Sequence, residues 1–303
     1  MIDICLLGTG GMMPLPGRHL TSLLIRHNGH SILVDCGEGT QVAIRKYGWT
    51  MYSIDVICFT HTHGDHIAGI SGLLSSMGSD GRTEPIHIIG PRNIEEIVAN
   101  LCVVVKVPFD VVFHPIENEE PYRAGEIDIT PFRVEHSVIC YGYKFELKRK
   151  PKFLPEKAKE LGIPVNEWKN LQDGKTVRIG LTWYKPEDVT SGPRKGLSFV
   201  YSTDTRPCKN LEYASVGSDL LITEGIYGDN EKLDSAKSKK HMTSVEAAEL
   251  SKRAGAKEVW LTHYSPAFRD QHEYEKMIQE INDRVVFACD GKTTTLNFED
   301  ETE

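Results

Sequence analysis

No CxxC pair occurs in this sequence. Its seven cysteines, an odd number, lie scattered at positions 5, 36, 58, 102, 140, 208 and 289. That scatter argues against a disulfide framework and for reduced, mostly buried thiols in a cytoplasmic setting. The first residues, Met1-Ile-Asp-Ile-Cys5-Leu-Leu-Gly8, lack the basic segment and the apolar length of a signal peptide. No apolar run approaches the roughly 20 residues of a membrane span, so no membrane partner is expected. No repeat at a fixed period and no low-complexity tract is present. An excess of positive charge is also missing: 35 Lys and Arg against 43 Asp and Glu leave a net charge of −8. The molecule as a whole is therefore not a basic nucleic-acid binder. The glycine-rich turn Gly8-Thr-Gly10-Gly11 lacks the lysine and the spacing of a phosphate loop.

What the chain does have is histidine in one place. Phe59-Thr-His61-Thr-His63-Gly64-Asp65-His66 puts three imidazoles and a carboxylate within six residues. They follow the apolar run Val56–Phe59, which reads as a short buried strand. Gly64 is expected to let the backbone turn tightly so that the four side chains converge. Imidazole with carboxylate suits zinc, manganese or iron, whereas calcium wants oxygen alone. One ion rarely takes four ligands from so tight a loop. The spacing suggests two ions side by side, His61 and His63 on one, Asp65 and His66 on the other.

The remaining chain alternates strands and helices, as an α/β protein does. Strands are expected over Ile2–Leu7, Leu23–His27 and Ser31–Asp35, the last two joined by the hairpin signal Asn28-Gly29. Thr40-Gln41 opens a helix to about Tyr47, with Gly48 as its stop. A single helix is expected over Ile67–Met77 and another starting at Pro91. Val111–His114, Ile127–Val134 and Tyr141–Leu147 read as strands of a second sheet. Leu197–Ser202, Leu220–Thr223, Val259–Thr262, Val285–Ala288 and Thr293–Phe298 are further strands. Ser244–Ala254 is a helix capped by Thr243 or Ser244 with Glu246 in its first turn, and Asp270–Asn282 is another. Residues 148–195 differ: twelve Lys and Arg face six Asp and Glu, Pro and Gly are frequent, and apolar periodicity is poor outside Pro155–Leu161. A net +6 inside an acidic chain reads as an inserted arm that meets something anionic. The expected organisation is one domain over 1–303 with 148–195 as that arm.

Further candidate ligands stand just past strands: His136, Asp204 and His263. Asp35, also at a strand end, either orients a metal-bound histidine or serves as a turn or cap residue. Together His61-x-His63-x-Asp65-His66, His136, Asp204 and His263 resemble the metallo-β-lactamase superfamily, whose fold is an αββα sandwich. Within it four segments resemble the ribonuclease Z family: Asp35-Cys-Gly-Glu-Gly-Thr-Gln41, the 148–195 arm, Thr223-Glu224-Gly225, and His241-Met242-Thr243. The chain departs from that family where Gly162-Ile-Pro164 runs into Val165-Asn-Glu-Trp168 without a Gly-Pro pair, and where Arg18-His19 replaces Arg-Asn.

The resemblance implies two zinc ions per subunit, with Mn2+ or Fe2+ as substitutes. One takes His61, His63 and His136, the other Asp65, His66 and His263, and Asp204 bridges both. It implies a homodimer, and it implies precursor transfer RNA as the substrate, cut to remove the 3′ trailer by a hydroxide generated at the metal pair. Asp65 would accept the water proton. His241, oriented by Glu224, would protonate the departing ribose oxygen. The ligands alone leave open a small-molecule phosphodiesterase or another ester hydrolase on the same site.

Overall fold

The computed structural model describes residues 1–299. Asn28 and Gly29 both adopt the left-handed backbone that a two-residue hairpin turn needs, and they join β2 (Ser22–His27) to β3 (His30–Val34). Before them runs β1 (Ile2–Gly8). After them come β4 (Ile54–Cys58), β5 (Ile86–Gly90) and β6 (Val111–Pro115). Next in the chain are β7 (Tyr122–Ala124), β8 (Ile127–Arg133) and β9 (Tyr141–Arg149), then the small hairpin β10 (Val177–Ile179) and β11 (Thr182–Tyr184). The chain continues with β12 (Arg194–Ser202), β13 (Leu220–Glu224), β14 (Val259–Thr262), β15 (Val285–Phe287) and β16 (Lys292–Leu296).

Two seven-stranded sheets result, in the orders β16-β1-β2-β3-β4-β5-β6 and β15-β14-β13-β12-β9-β8-β7. Strands β3 to β6 pair in parallel, as do β12 to β15. Each sheet buries one face under its own helices. On the first, Ala43 and Ile44 of helix Thr40–Lys46, Leu73, Leu74 and Met77 of helix Ile70–Ser79, and Ile94 and Val98 of helix Ile94–Leu101 pack on Cys5, Leu7, Leu33, Ile57 and Ile88. On the second, Ala247, Ala248 and Leu250 of helix Ser244–Ala254 and Ile278 of helix His272–Ile281 pack on Val200, Leu221, Val259 and Leu261. The alternate residues, such as Ile4, Leu6, Val56, Tyr143, Phe199 and Ile222, are equally buried and so fill the space between the sheets. The Tyr143 hydroxyl donates across it to the Phe59 carbonyl at 2.6 Å. This is an αββα sandwich.

Several expectations need correction. Val111–His114 lies in the first sheet, parallel to β5, because helix Ile94–Leu101 carries the chain back as a crossover. That helix begins at Ile94. Pro91 precedes it, its carbonyl accepting from the Ile94 N–H at 2.8 Å. Ile67–Met77 is not one helix but two, Gly64–Ile67 and Ile70–Ser79. At the break the Gly69 N–H leaves the helical pattern and donates to the Cys36 carbonyl at 2.9 Å, an approach so close that a Cβ on Gly69 would fall 2.1 Å from the Gly37 carbonyl oxygen. Gly64 makes no tight turn. It opens the first short helix with an ordinary backbone and open space where a Cβ would go.

The chain divides into two compact units, Met1–Glu146 with Ser198–Asn297, and Leu147–Leu197 with Phe298 and Glu299. The second is better ordered than its composition suggests. Helices Pro155–Glu160 and Val165–Gln172 and the β10–β11 hairpin gather around buried Ala158, Ile163, Leu171, Val177 and Val189. The Trp168 indole N–H donates to the Ile163 carbonyl at 2.9 Å. No helix among the described residues is long and apolar enough to cross a membrane.

Candidate metal centre

The parallel strands end at one rim, and the chemistry-bearing side chains stand there. β4 delivers the 61–66 loop, β12 delivers Asp204, β13 ends on Glu224, and β14 leads directly into His263. His136 precedes β9, and His241 lies between helices Leu233–Lys239 and Ser244–Ala254. Asp35, Asp204 and His263 all adopt left-handed backbone, with φ of 58°, 46° and 56°. Non-glycine residues rarely accept that geometry, and here it turns three strand ends inward to the same point.

All seven predicted ligands and both predicted catalytic partners converge. His61 Nε2, His63 Nδ1, His136 Nε2 and Asp204 form one group, and Asp65, His66 and His263 a second. In the first, His63 Nδ1 lies 3.0 Å from His61 Nε2 and 3.2 Å from His136 Nε2. Asp204 Oδ2 lies 3.6 and 3.7 Å from His61 Nε2 and His136 Nε2. In the second, His66 Nε2 and His263 Nε2 are 3.2 Å apart, and Asp65 Oδ2 stands 3.7 and 3.4 Å from them. Asp204 turns its other oxygen, Oδ1, to this group, 3.2 Å from His66 Nε2 and 3.1 Å from His263 Nε2.

The donor set fits divalent ions of the zinc type. Two ligand atoms about 2.1 Å from one tetrahedral ion sit about 3.4 Å apart, close to the spacings here. Asp204 Oδ1 is fully buried and, despite those two close nitrogens, forms no hydrogen bond. A buried carboxylate oxygen that faces two imidazole nitrogens without bonding either is arranged for a shared cation.

Surrounding groups fix the imidazoles. Asp35 Oδ2 holds His66 Nδ1 at 2.8 Å, and the same carboxylate accepts from the Thr60 N–H and hydroxyl. Thr60 Oγ1 also meets His61 Nδ1 at 3.0 Å, and the Lys240 carbonyl accepts from His136 Nδ1 at 3.2 Å. Each contact leaves the opposite nitrogen to face the cluster. Asp35 thus orients a histidine rather than capping the helix that follows it.

The charges follow from this crowding. Burial, reinforced by neighbouring imidazoles, pushes His61 well below the usual histidine range. Burial also works against a charged His66, but Asp204, Asp35 and Asp65 outweigh it and hold that imidazole well above the range. Burial opposes ionisation of Asp204 too, yet His263, His66 and His61 keep its carboxyl well below the carboxylate range. His241 is raised to about 9: burial pulls it down, and the Glu224 carboxylate 3.0 Å from its Nδ1 more than compensates.

Arg206 was not legible as a site residue. Its guanidinium donates to the His241 carbonyl and to both oxygens of Glu246. Nothing local in Thr203-Asp204-Thr205-Arg206 announces this, because the partners lie 35 and 40 residues away. A separate cavity of about 460 Å3, lined by His27, His30, Asp55, His87 and Tyr122 among others, opens where β3, β4 and β5 begin. It shares no residue with the cluster at their far ends.

The family model described as anti-Pycsar protein Apyc1 matches residues 2–151. Ribonuclease Z of Lachnoclostridium phytofermentans is 48% identical over 301 residues, 99% of each chain. Human tRNase Z, short form, has the same fold with a TM-score of 0.69 at 22% identity, covering 97% of this chain and 99% of its own. The metallo-β-lactamase fold protein YhfI from Bacillus subtilis gives a TM-score of 0.68 at 22% identity, covering 97% and 98%. With its His–Asp cluster at the rim of an αββα sandwich and nearly half its residues identical to such a relative along the whole length, the chain belongs to the ribonuclease Z family.

Proposed function

We propose that this chain is a metal-dependent endoribonuclease that removes the 3′ trailer from precursor transfer RNA and leaves a 3′-hydroxyl on the transfer RNA. Asp204 carries the reading, since its two oxygens face two separate sets of nitrogen and oxygen donors. Family membership gives the substrate class. In this reading His61, His63 and His136 would hold one zinc ion and Asp65, His66 and His263 the other, with Asp204 offering one oxygen to each. Such a pair supplies Lewis acidity toward phosphoryl oxygens and makes water a nucleophile at neutral pH.

The chain's own groups manage the protons. The Asp65 carboxylate accepts the proton of the attacking water. Glu224 Oε2 engages His241 Nδ1 at 3.0 Å, which leaves Nε2 to protonate the ribose 3′ oxygen as it departs. His241 also comes within reach of Asp204 and His263; it is read as the proton donor and not as a ligand because three residues and the shared Asp204 already offer each ion four donors. Lys237, Lys239 and Lys240, just before His241, would meet RNA phosphates. We further read residues 148–195 as the substrate-gripping arm of a cytoplasmic homodimer, in which one subunit's arm serves the other's site.

The test is incubation with a 3′-extended precursor transfer RNA and mapping of the new ends. A single cut beside the mature 3′ end, yielding a 3′-hydroxyl, supports the proposal. Intact precursor with zinc-loaded protein would refute it.

A further inference from the structure

His241 is held in two ways. Its ring meets Glu224 Oε2 at 3.0 Å, but its backbone sits in a short connection between two helices, and that connection must itself be fixed. Lys240, the residue before it, has left-handed backbone with φ 62°. The His241 N–H donates to the Ala236 carbonyl at 2.8 Å. Its carbonyl takes a guanidinium N–H from Arg206.

Arg206 reaches further than this one bond. Nη1 and Nη2 grip the two oxygens of Glu246, whose Oε2 also accepts the Thr243 N–H at 3.1 Å in the capping box that starts helix Ser244–Ala254. The Arg206 backbone N–H donates to the Glu135 carbonyl at 2.9 Å, next to His136. Neighbouring Thr205 accepts from the Glu135 N–H at 3.0 Å on its hydroxyl, and its own N–H donates to Glu224 Oε1. The guanidinium and its carboxylate partner are 13% and 15% exposed, so the pair is mostly shielded from water and its geometry is fixed. One residue therefore ties the loop of Asp204 to the His136 turn, while its immediate neighbour binds Glu224 and its side chain binds His241.

We infer that Arg206 is a positioning residue for His241: its planar fork sets where the His241 imidazole stands relative to the leaving oxygen. This rests on the role proposed above for His241. A lysine cannot replace the fork, since one ammonium is a point donor and cannot span both Glu246 oxygens and a carbonyl in one plane.

The test compares two leaving groups. A departing ribose oxygen needs a proton, whereas p-nitrophenolate leaves readily without one. Misplacing the donor should therefore damage RNA cleavage selectively. Turnover of Arg206→Ala, Arg206→Lys, His241→Ala and the double variant Arg206→Ala/His241→Ala would be measured on precursor transfer RNA and on bis(p-nitrophenyl) phosphate, with zinc content determined for each. Expected is a kcat loss for Arg206→Ala at least about tenfold larger on RNA than on the activated ester, a partial loss for Arg206→Lys, and zinc equal to that of the unaltered protein. The double variant should be no slower on RNA than His241→Ala, because the two residues act through one step. Equal losses of Arg206→Ala on both substrates, or additive losses in the double variant, would overturn the inference. If Arg206→Ala fails to fold, Arg206→Lys decides on the same ratio. Should His241→Ala itself show no selectivity for RNA, the proposed role of His241 fails, a result distinct from failure at Arg206 alone.

Discussion

Asp204 illustrates how much of the site is set by single residues. The sequence marks it only as an acid after an apolar strand. What makes it central is a φ of 46°, which turns both oxygens toward opposite groups of donors. Such strain is rarely written in the local sequence, because the surrounding packing imposes it. The 61–66 loop was legible for the opposite reason: its four side chains fall within six residues, so closeness in sequence keeps them close in space. The cysteines give a test at this scale. Burial pushes Cys36 up to about 12 and drives Cys58 and Cys140 well above the usual thiol range. A raised value keeps the thiol protonated, with on the order of one thiolate in ten thousand or fewer at pH 7.5 for Cys36. Iodoacetamide should therefore label exposed Cys289 on the native protein and spare these three until it unfolds, as peptide mass mapping would show. Labelling of Cys36 at the rate of Cys289 would contradict that burial.

Among the elements, those read correctly carry their signals within their own span. Helix Ser244–Ala254 is announced by Thr243 and Glu246, and the structure contains that capping box. The β2–β3 hairpin is announced by Asn28-Gly29. Those misread depend on contacts far along the chain. At the break between Gly64–Ile67 and Ile70–Ser79 the Gly69 N–H bonds the Cys36 carbonyl and its backbone comes close to that of Gly37, and no periodicity reveals that approach. The same contact packs the Asp35–Gln41 segment against the metal loop, since the Cys36 N–H donates to the His66 carbonyl at 2.6 Å. Gly69→Ala should accordingly push the two segments apart. We expect a loss of about 3 kcal/mol or more in urea unfolding, together with weakened zinc retention on dialysis. A variant with unchanged midpoint and unchanged zinc would show that the contact is not required.

At the scale of the whole molecule, the αββα architecture was inferred from the resemblance and is the one observed, while the assignment of β6 to the second sheet was wrong. Sheet membership depends on which strands a crossover brings side by side, and length and polarity do not encode it. The basic excursion was legible as a change of charge with a short helical piece near Pro155–Leu161, which the structure shows as helix Pro155–Glu160; helix Val165–Gln172 and the small apolar core were not, because Ala158, Ile163, Leu171, Val177 and Val189 lie too far apart to form a period. As that unit has a core of its own, replacing residues 150–194 with a short Gly-Ser linker should remove cleavage of precursor transfer RNA and spare hydrolysis of bis(p-nitrophenyl) phosphate. Joint loss of both activities with zinc still bound would show that the segment supports the site itself.

The central proposal is that two divalent ions bind side by side across Asp204. Elemental analysis of the protein after zinc loading and exhaustive dialysis tests it most directly, with Asp204→Ala alongside. Two zinc ions per chain, and fewer than two in the variant, are predicted. A chain that retains no zinc, or a variant that still holds both ions, would contradict it.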